Sequence, residues 1–273
     1  MLLPIMYHHI GADNFSNRPD VFRDHLLYIQ QHFHVVLPGE PLATDKPNIV
    51  LTFDDAGYSF YHYVFPLLKE FNLRALLGVP VRFILEDSAN VDAETRLDIS
   101  TFQMMRGELY KQIVPFCTWK ELREMSECGL VRCASHSFSH ANLLESERYV
   151  EELTESQAVL QAKLGGEVDA FIFPYGEFNR EILSAARKHY RYLFAVGSGD
   201  NRTWDGIGGV LFRLYGDELP DATSIFNKSK MLRYMLSYYK LKIKKWLKDR
   251  QPIGPGDSEM PHPLRSDENP PRS

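Results

Sequence analysis

Ile49-Val50-Leu51-Thr52-Phe53-Asp54-Asp55-Ala56-Gly57 is an apolar run that ends in two carboxylates and a turn. A run apolar throughout, rather than alternating, marks a strand buried on both faces, as in parallel sheets. Working outward, runs of the same kind recur over Leu3–His8, Asn48–Phe53, Ala75–Val81, Leu130–Ser135, Ala170–Phe173, Tyr192–Val196 and Val210–Tyr215. Helix-period segments lie between them, at about 20–33, 59–72, 118–128, 145–164 and 178–189. Thr118 and Glu121 form a capping box before an amphipathic run that stops at Gly129, and Asn179 suits the N-cap of a further helix. Strands alternating with helices predict βαβ units. About seven of them favour a (β/α) barrel over an open doubly wound sheet.

The chain has 273 residues, 44% of them hydrophobic, enough for one sizeable core. A net charge of −5 argues against a generic nucleic-acid binder. Cys117, Cys128 and Cys133 are too few for a disulfide framework and match no metal-binding spacing; they read as small apolar residues. The N-terminus has no basic region or cleavage site, and no stretch approaches the roughly 20 apolar residues of a membrane span. The expectation is therefore a cytoplasmic protein without a signal peptide. Residues 1–225 are expected to form the barrel, with 86–115 as an insertion over its mouth or a solvated excursion. Residues 225–250 hold nine basic side chains against Asp249 alone, a local balance of +8, so the rest of the chain carries −13. Met235, Tyr239, Ile243 and Trp246 recur there at helical spacing. Segment 226–250 thus reads as a basic amphipathic helix, either packed on the domain or in peripheral contact with an anionic membrane. The polar, proline-rich 251–273 is expected to be a disordered tail.

Carboxyl ends of parallel strands form the ligand face of α/β folds, so Asp54 and Asp55 stand where chemistry is done. Two unpaired carboxylates there would repel until one took a proton. A bound cation resolves this by making one a ligand and leaving the other as a base. A helix N-cap pair is the alternative. Ser135-His136-Ser137-Phe138-Ser139-His140 also follows an apolar strand. Its two histidines, four apart, share a face if the stretch is helical. With Asp55 or its neighbour they compose a two-histidine, one-carboxylate set with open positions, a catalytic rather than a closed structural arrangement. Phe173-Pro174-Tyr175-Gly176 ends another strand in a turn. It is either an ordinary connection or one that presents the Tyr175 N–H as an oxyanion donor. His8, in Tyr7-His8-His9, is a core histidine or a general acid.

Together, Thr52-Phe53-Asp54-Asp55 and His136-Ser137-Phe138-Ser139-His140 resemble the polysaccharide deacetylase family, carbohydrate esterase family four, over about residues 1–216. The resemblance implies a distorted (β/α) barrel, with Asp55, His136 and His140 as metal ligands and Asp54 as catalytic base. The third motif lacks the arginine of many members, and no Leu-x-His follows. The pattern is closer to the circularly permuted poly-N-acetylglucosamine deacetylase branch. Its early Tyr-His is matched by Tyr7-His8, making His8 the expected acid, and its late arginine by Arg213, expected as an orienting residue or, with Pro174, as part of the substrate pocket.

The implied function is metal-dependent hydrolysis of the N-acetyl amide of an amino sugar in an oligo- or polysaccharide, which could be lipid-linked. Zn2+ is the expected ion, and Co2+, Ni2+ or Fe2+ suit the same ligands. A non-haem iron oxygenase shares the ligand set and would need O2. A glycosidase needs two carboxylates across the scissile bond, about 5–9.5 Å apart, and would leave the histidines unexplained. A catalytically silent carbohydrate-binding protein on the same fold is the alternative outside enzymes.

Overall fold

A computed structural model describes residues 1–11, 16–88, 90–98, 105, 107–197 and 200–249, with side chains described no further than residue 240. Eight strands are all parallel: β1 (Leu2–Tyr7), β2 (His34–Val35), β3 (Asn48–Phe53), β4 (Ala75–Val79), β5 (Val131–Ser135), β6 (Ala170–Ile172), β7 (Tyr192–Val196) and β8 (Leu211–Tyr215). Seven of them run β1-β3-β4-β5-β6-β7-β8 and close where β8 pairs with β1, through Ile5↔Leu214 and Met6↔Tyr215. The two-residue β2 lies beside Asn48 and Ile49, filling the edge of β3 below the point where β4 joins it. It was not expected from sequence, because a pair of residues carries no periodicity. The seam between β5 and β6 is the sparsest, with Ser135↔Phe171 as its register pair.

The helices are α1 (Pro19–His32), α2 (Phe65–Phe71), α3 (Ala93–Leu97), α4 (Tyr110–Ile113), α5 (Trp119–Glu127), α6 (Tyr149–Leu164), α7 (Arg180–Ala186) and α8 (Lys228–Asp249). All but the short α3 and α4, which lie in the 86–115 excursion, fall within segments expected to be helical. The helix expected over 59–72 is in two parts. Pro66 has no N–H to continue an α-helical ladder, and the turn before it widens to a π-helix over Phe60–Val64, closed by Phe65 N–H donating to the Phe60 carbonyl. The capping box is present, with Glu121 N–H donating to Thr118 Oγ1 and Thr118 N–H to the Glu121 carboxylate. Asn179 caps α7 by accepting from Ile182 N–H at 2.9 Å.

Side chains alternate across each strand, and that parity decides what fills the barrel. Leu2, Val50, Leu76, Ala134, Ala170, Ile172, Tyr192, Phe194 and Leu211 pack together as the inner core. Their neighbours of opposite parity on each strand, such as Leu3, Ile5, Leu51, Leu77 and Phe171, join the larger core shared with the helices. Two residues further along the inner faces, the lining turns polar: Thr52 then Asp54 on β3, Arg213 on β8, His136 beyond β5. The floor is oily and the mouth is charged.

The 86–115 excursion contains α3 and α4 and returns to the edge of the mouth. Tyr58 N–H donates to the Pro115 carbonyl and Cys117 N–H to that of Ala56, both at 2.7 Å. Arg96 anchors it from a buried position. Its guanidinium donates to the Val114 and Phe116 carbonyls and both Glu121 oxygens, and lies 3.5 Å from the Tyr58 ring centroid. Of the segment expected to be a basic helix, α8 covers Lys228–Asp249. The tail expected at 251–273 lies outside the described residues.

Candidate active site

Inward parity brings Asp54 and Arg213 face to face across the barrel. Arg213 Nη1 donates to Asp54 Oδ1 at 2.6 Å and Nη2 to Oδ2 at 2.9 Å, a bidentate pair. Nη1 also reaches Thr52 Oγ1 at 3.2 Å, and Thr52 in turn donates to the Ile5 carbonyl. Both members of the pair are buried, Arg213 to 1% exposure. Burial alone would raise the Asp54 pKa. The Arg213 charge and hydrogen bonds, with His136 and His8, outweigh it and hold the carboxyl below its ordinary value. Asp54 is an anion that still has an edge toward the mouth.

The backbone then reverses. Asp55 and Ala56 take φ of 70° and 49°, two consecutive left-handed residues without a glycine. Such conformations cost about 1–3 kcal/mol each and persist where surrounding structure enforces them. Here Asp54 N–H donates to the Tyr7 carbonyl, and the Ala56 and Tyr58 backbone is gripped by 115–117. The reversal carries the Asp55 carboxylate away from Arg213 and toward the two histidines. Asp55 Oδ1 is 3.5 Å from His136 Nε2 and 3.3 Å from His140 Nε2.

The histidine stretch is not a helix. Ser137 and His140 have φ of 61° and 55°, and the loop is pinned by Ser139 N–H and Oγ donating to the Glu152 carboxylate. The two histidines therefore do not share a helical face; the loop itself brings the rings to 4.7 Å centroid separation. A carbonyl can only accept, so the 2.8 Å contact between His136 Nδ1 and the Ile172 carbonyl places a proton on Nδ1 and leaves Nε2 as the ring nitrogen that faces Asp55. Gly78 gives this ring its room, since a Cβ there would stand 3.0 Å from Ile172 Cδ1 and 3.4 Å from His136 Cβ. Burial holds His140 down to about 4 against the opposing pull of Asp55, so its imidazole is neutral at pH 7. Burial works to raise Asp55, but His140 and His136 keep it well below the usual carboxylate range.

One carboxylate and two imidazoles therefore gather around one point, their ligand atoms all within 4.8 Å of one another. Two atoms bound at about 2.1 Å to a tetrahedral ion stand roughly 3.4 Å apart, close to the 3.5 and 3.3 Å from Asp55 to the two histidines. The donor set fits a divalent cation, and the carbonyl behind His136 is the orienting partner that metal-binding histidines usually have.

His8 continues the inward parity of β1, and its Nε2 stands 3.7 Å from Asp54 Oδ2. Asp217 holds it from behind, accepting from His8 N–H at 2.9 Å and from Nδ1–H at 2.6 Å. Burial would lower the His8 pKa, but the charge and hydrogen bond of Asp217, aided by Asp54 and Asp55, raise it to about 10. Sequence reasoning missed Asp217. It lies two residues past β8 and meets His8 only because the barrel closes β8 against β1. The one local signal is Gly216, where a Cβ would come 2.5 Å from Tyr7 Cε1.

Tyr175 and Pro174 follow β6. Pro174 is buried, and Tyr175 takes φ 59°, with its ring 4.9 Å from that of His140. The structure thus gathers Asp54, Asp55, His8, His136, His140 and Arg213 at the mouth, with Tyr175 beside them. Cys117 and Cys133 are buried, and burial pushes both thiols up, Cys133 to about 11. These two fit the apolar reading made of all three cysteines, whereas Cys128, just past the end of α5, is exposed and does not.

A sequence profile of the polysaccharide deacetylase family matches residues 42–193, more than half of the chain and the stretch carrying the Asp-Asp and His-x-x-x-His motifs. The chain belongs to the polysaccharide deacetylase family. A poly-beta-1,6-N-acetyl-D-glucosamine N-deacetylase of Escherichia coli O157:H7 is 27% identical over 191 residues, 59% of this chain and 26% of that protein. The chain thus spans about a quarter of the length of that relative. The fold matches the Streptococcus pyogenes deacetylase PplD in complex with acetate, at TM-score 0.66 and 21% identity over 86% of this chain and 97% of that one. It also matches IcaB from Ammonifex degensii, at TM-score 0.65 and 19% identity over 85% and 96%. This family fold is the seven-stranded parallel barrel described above.

Proposed function

We propose that this polysaccharide deacetylase family member is a metal-dependent hydrolase removing N-acetyl groups from an amino-sugar oligo- or polysaccharide. The observation that carries the reading is Asp54, gripped by Arg213 and 3.7 Å from His8 Nε2, standing beside the Asp55, His136 and His140 donor set. Asp55, His136 and His140 would hold the ion, for which Zn2+ is the first choice. When bound, it supplies a Lewis acid for the acetyl carbonyl and lowers the pKa of water.

Asp54 accepts a proton from the water that attacks the acetyl carbon, while Arg213 fixes its orientation. Arg213 also keeps the carboxylate ionised in a buried place. The Tyr175 N–H donates to the oxygen that gains negative charge. His8 donates its Nε2 proton to the departing nitrogen, and Asp217 holds the opposite side of the ring so that Nε2 faces the mouth. Pro174 shapes the rim behind Tyr175. Each role answers a requirement of amide hydrolysis, namely a base for water, charge for the oxyanion and an acid for the amine.

A silent carbohydrate binder has no use for a carboxylate held ionised against a protonated imidazole. The relative's printed substrate, a beta-1,6-linked N-acetylglucosamine polymer, supports an N-acetylated glycan here. The test is acetate release from N-acetylglucosamine oligomers by native, chelated, zinc-restored and Asp54→Asn protein. Chelation is expected to abolish release and zinc to restore it, with Asp54→Asn at least about 100-fold slower. Release that survives both chelation and Asp54→Asn would overturn the reading. The basic helix supports peripheral membrane contact as well, and its position bears on whether the glycan is lipid-linked.

A further inference from the structure

The face of α8 turned away from the barrel is apolar where a surface helix should be polar. Met231 packs against the main core, Tyr234 is buried, and the Tyr234 hydroxyl donates to the Ile225 carbonyl at 3.1 Å. On the other side, Leu232 is 57% and Leu236 52% exposed, one turn apart, with Tyr239 at 54% next along the stripe. The sequence repeats the spacing at Ile243 and Trp246, and residues 226–248 contain no acidic residue. Lys228, Arg233 and Lys240 are exposed along the same helix. An apolar stripe flanked by cations and free of acids is complementary to an anionic lipid surface. A helix with charges in nearly every turn would lie in that interface rather than cross it.

The contacts of α8 also say which end of the barrel it occupies. The Tyr234 carbonyl accepts from Asp200 N–H at 3.3 Å, Asp200 Oδ1 accepts from Leu2 N–H at 3.2 Å, and Leu2 bridges to Asn201. Leu2 opens β1, and His8 lies just past its other end. Six residues of strand separate them, about 20 Å at 3.3 Å per residue. The helix is therefore attached at the oily floor, opposite the mouth.

We propose that α8 rests on an anionic bilayer through Leu232, Leu236 and Tyr239, and that it holds the barrel with its catalytic mouth turned away from the lipid. One consequence rests on the deacetylase reading. The acetylated sugar must stand about 20 Å or more clear of the headgroups, so a short lipid-linked sugar cannot reach the site, whereas a long glycan can.

The test is flotation of the full chain with phosphatidylcholine vesicles, with and without phosphatidylglycerol. The protein is expected to float with anionic vesicles alone, and Leu232→Ser/Leu236→Ser to cut the floated fraction at least ten-fold. Both leucines are exposed, so an unchanged melting curve is expected to accompany the loss. No flotation, or equal flotation of the variant, overturns the docking. A concentration-dependent dimer abolished by the same substitutions assigns the stripe to a second copy instead and also overturns it. Orientation is read by energy transfer to a lipid-borne acceptor, with the exposed Cys128 replaced by Ser, from dyes at Lys228→Cys on α8 or at Leu144→Cys, an exposed position in the loop that follows His140 on the mouth side. Stronger transfer from position 228 is expected, and equal or stronger transfer from position 144 overturns the orientation. None of these readouts needs activity, so their failure is separate from failure of the deacetylase reading.

Discussion

Replacing Asp217 with Asn should convert an acid that works across the whole accessible pH range into one that fails on the alkaline side. Asparagine is the same size, and its side-chain oxygen can still accept from the His8 backbone or ring. Geometry is kept while one negative charge is removed. A unit charge about 4 Å from the imidazolium is worth roughly 4 kcal/mol at an effective dielectric of 20, or about 3 pKa units. The ring is 37% exposed, so water screens this to about 2 units. The His8 pKa should then fall from about 10 to about 8. A general acid must be protonated to act, so its contribution is complete below its pKa and lost as pH rises through it. At pH 6 the variant should be close to wild type. At pH 9 the protonated fraction is about nine-tenths in the wild type and about one-tenth in the variant, roughly a ten-fold loss. The assay is acetate release from an N-acetylglucosamine oligomer across pH 6 to 9.5 with metal in excess. Two parallel profiles, offset by the same factor at every pH, would refute the role assigned to Asp217.

Arg213→Met leaves Asp54 buried and unpaired, so it should cost about 3–5 kcal/mol in a denaturant titration; adding Asp54→Asn should recover much of that loss if the pair is its cause. Zinc at 100 times its dissociation constant should stabilise the fold by about 2.7 kcal/mol, read as a rise in melting temperature, and Asp55→Asn should abolish that rise. Gly78→Ala pushes a methyl against Ile172 and His136, and is expected to weaken zinc affinity about 10–100-fold in a chelator competition, as loss of an orienting contact does.

The barrel was legible because burial on both faces leaves its mark residue by residue. Asn48–Phe53 and Tyr192–Val196 match their expected limits, and the capping box at Thr118 and the cap at Asn179 are local chemistry that the chain writes out directly. The metal-binding candidates were legible for a related reason: Asp54, Asp55 and His136 sit just beyond apolar runs, and strand ends point to one face. What sequence does not carry is the closure of the ring. Asp217 meets His8 from 209 positions away, and Arg213 meets Asp54 from 159. Nothing periodic links such pairs. The conformation of residues 136–140 was left open in the sequence because spacing of four is shared by helices and by tight loops that use left-handed residues. Here the loop is enforced by Glu152 on α6, a partner with no local signature.

The thin seam between β5 and β6 gives the candidate metal centre a second consequence. The bond from His136 Nδ1 to the Ile172 carbonyl crosses that seam, and the Nε2 of the same ring faces the carboxylate that follows β3. One imidazole therefore ties three staves of the barrel, and a cation seated between Asp55, His136 and His140 would act as a rivet at its least stitched joint. Amide exchange over 170–172 should then slow on zinc loading more than exchange at the amply paired β1–β3 joint. Adjusting the ion's affinity and adjusting how freely the cylinder breathes are, for this chain, the same operation.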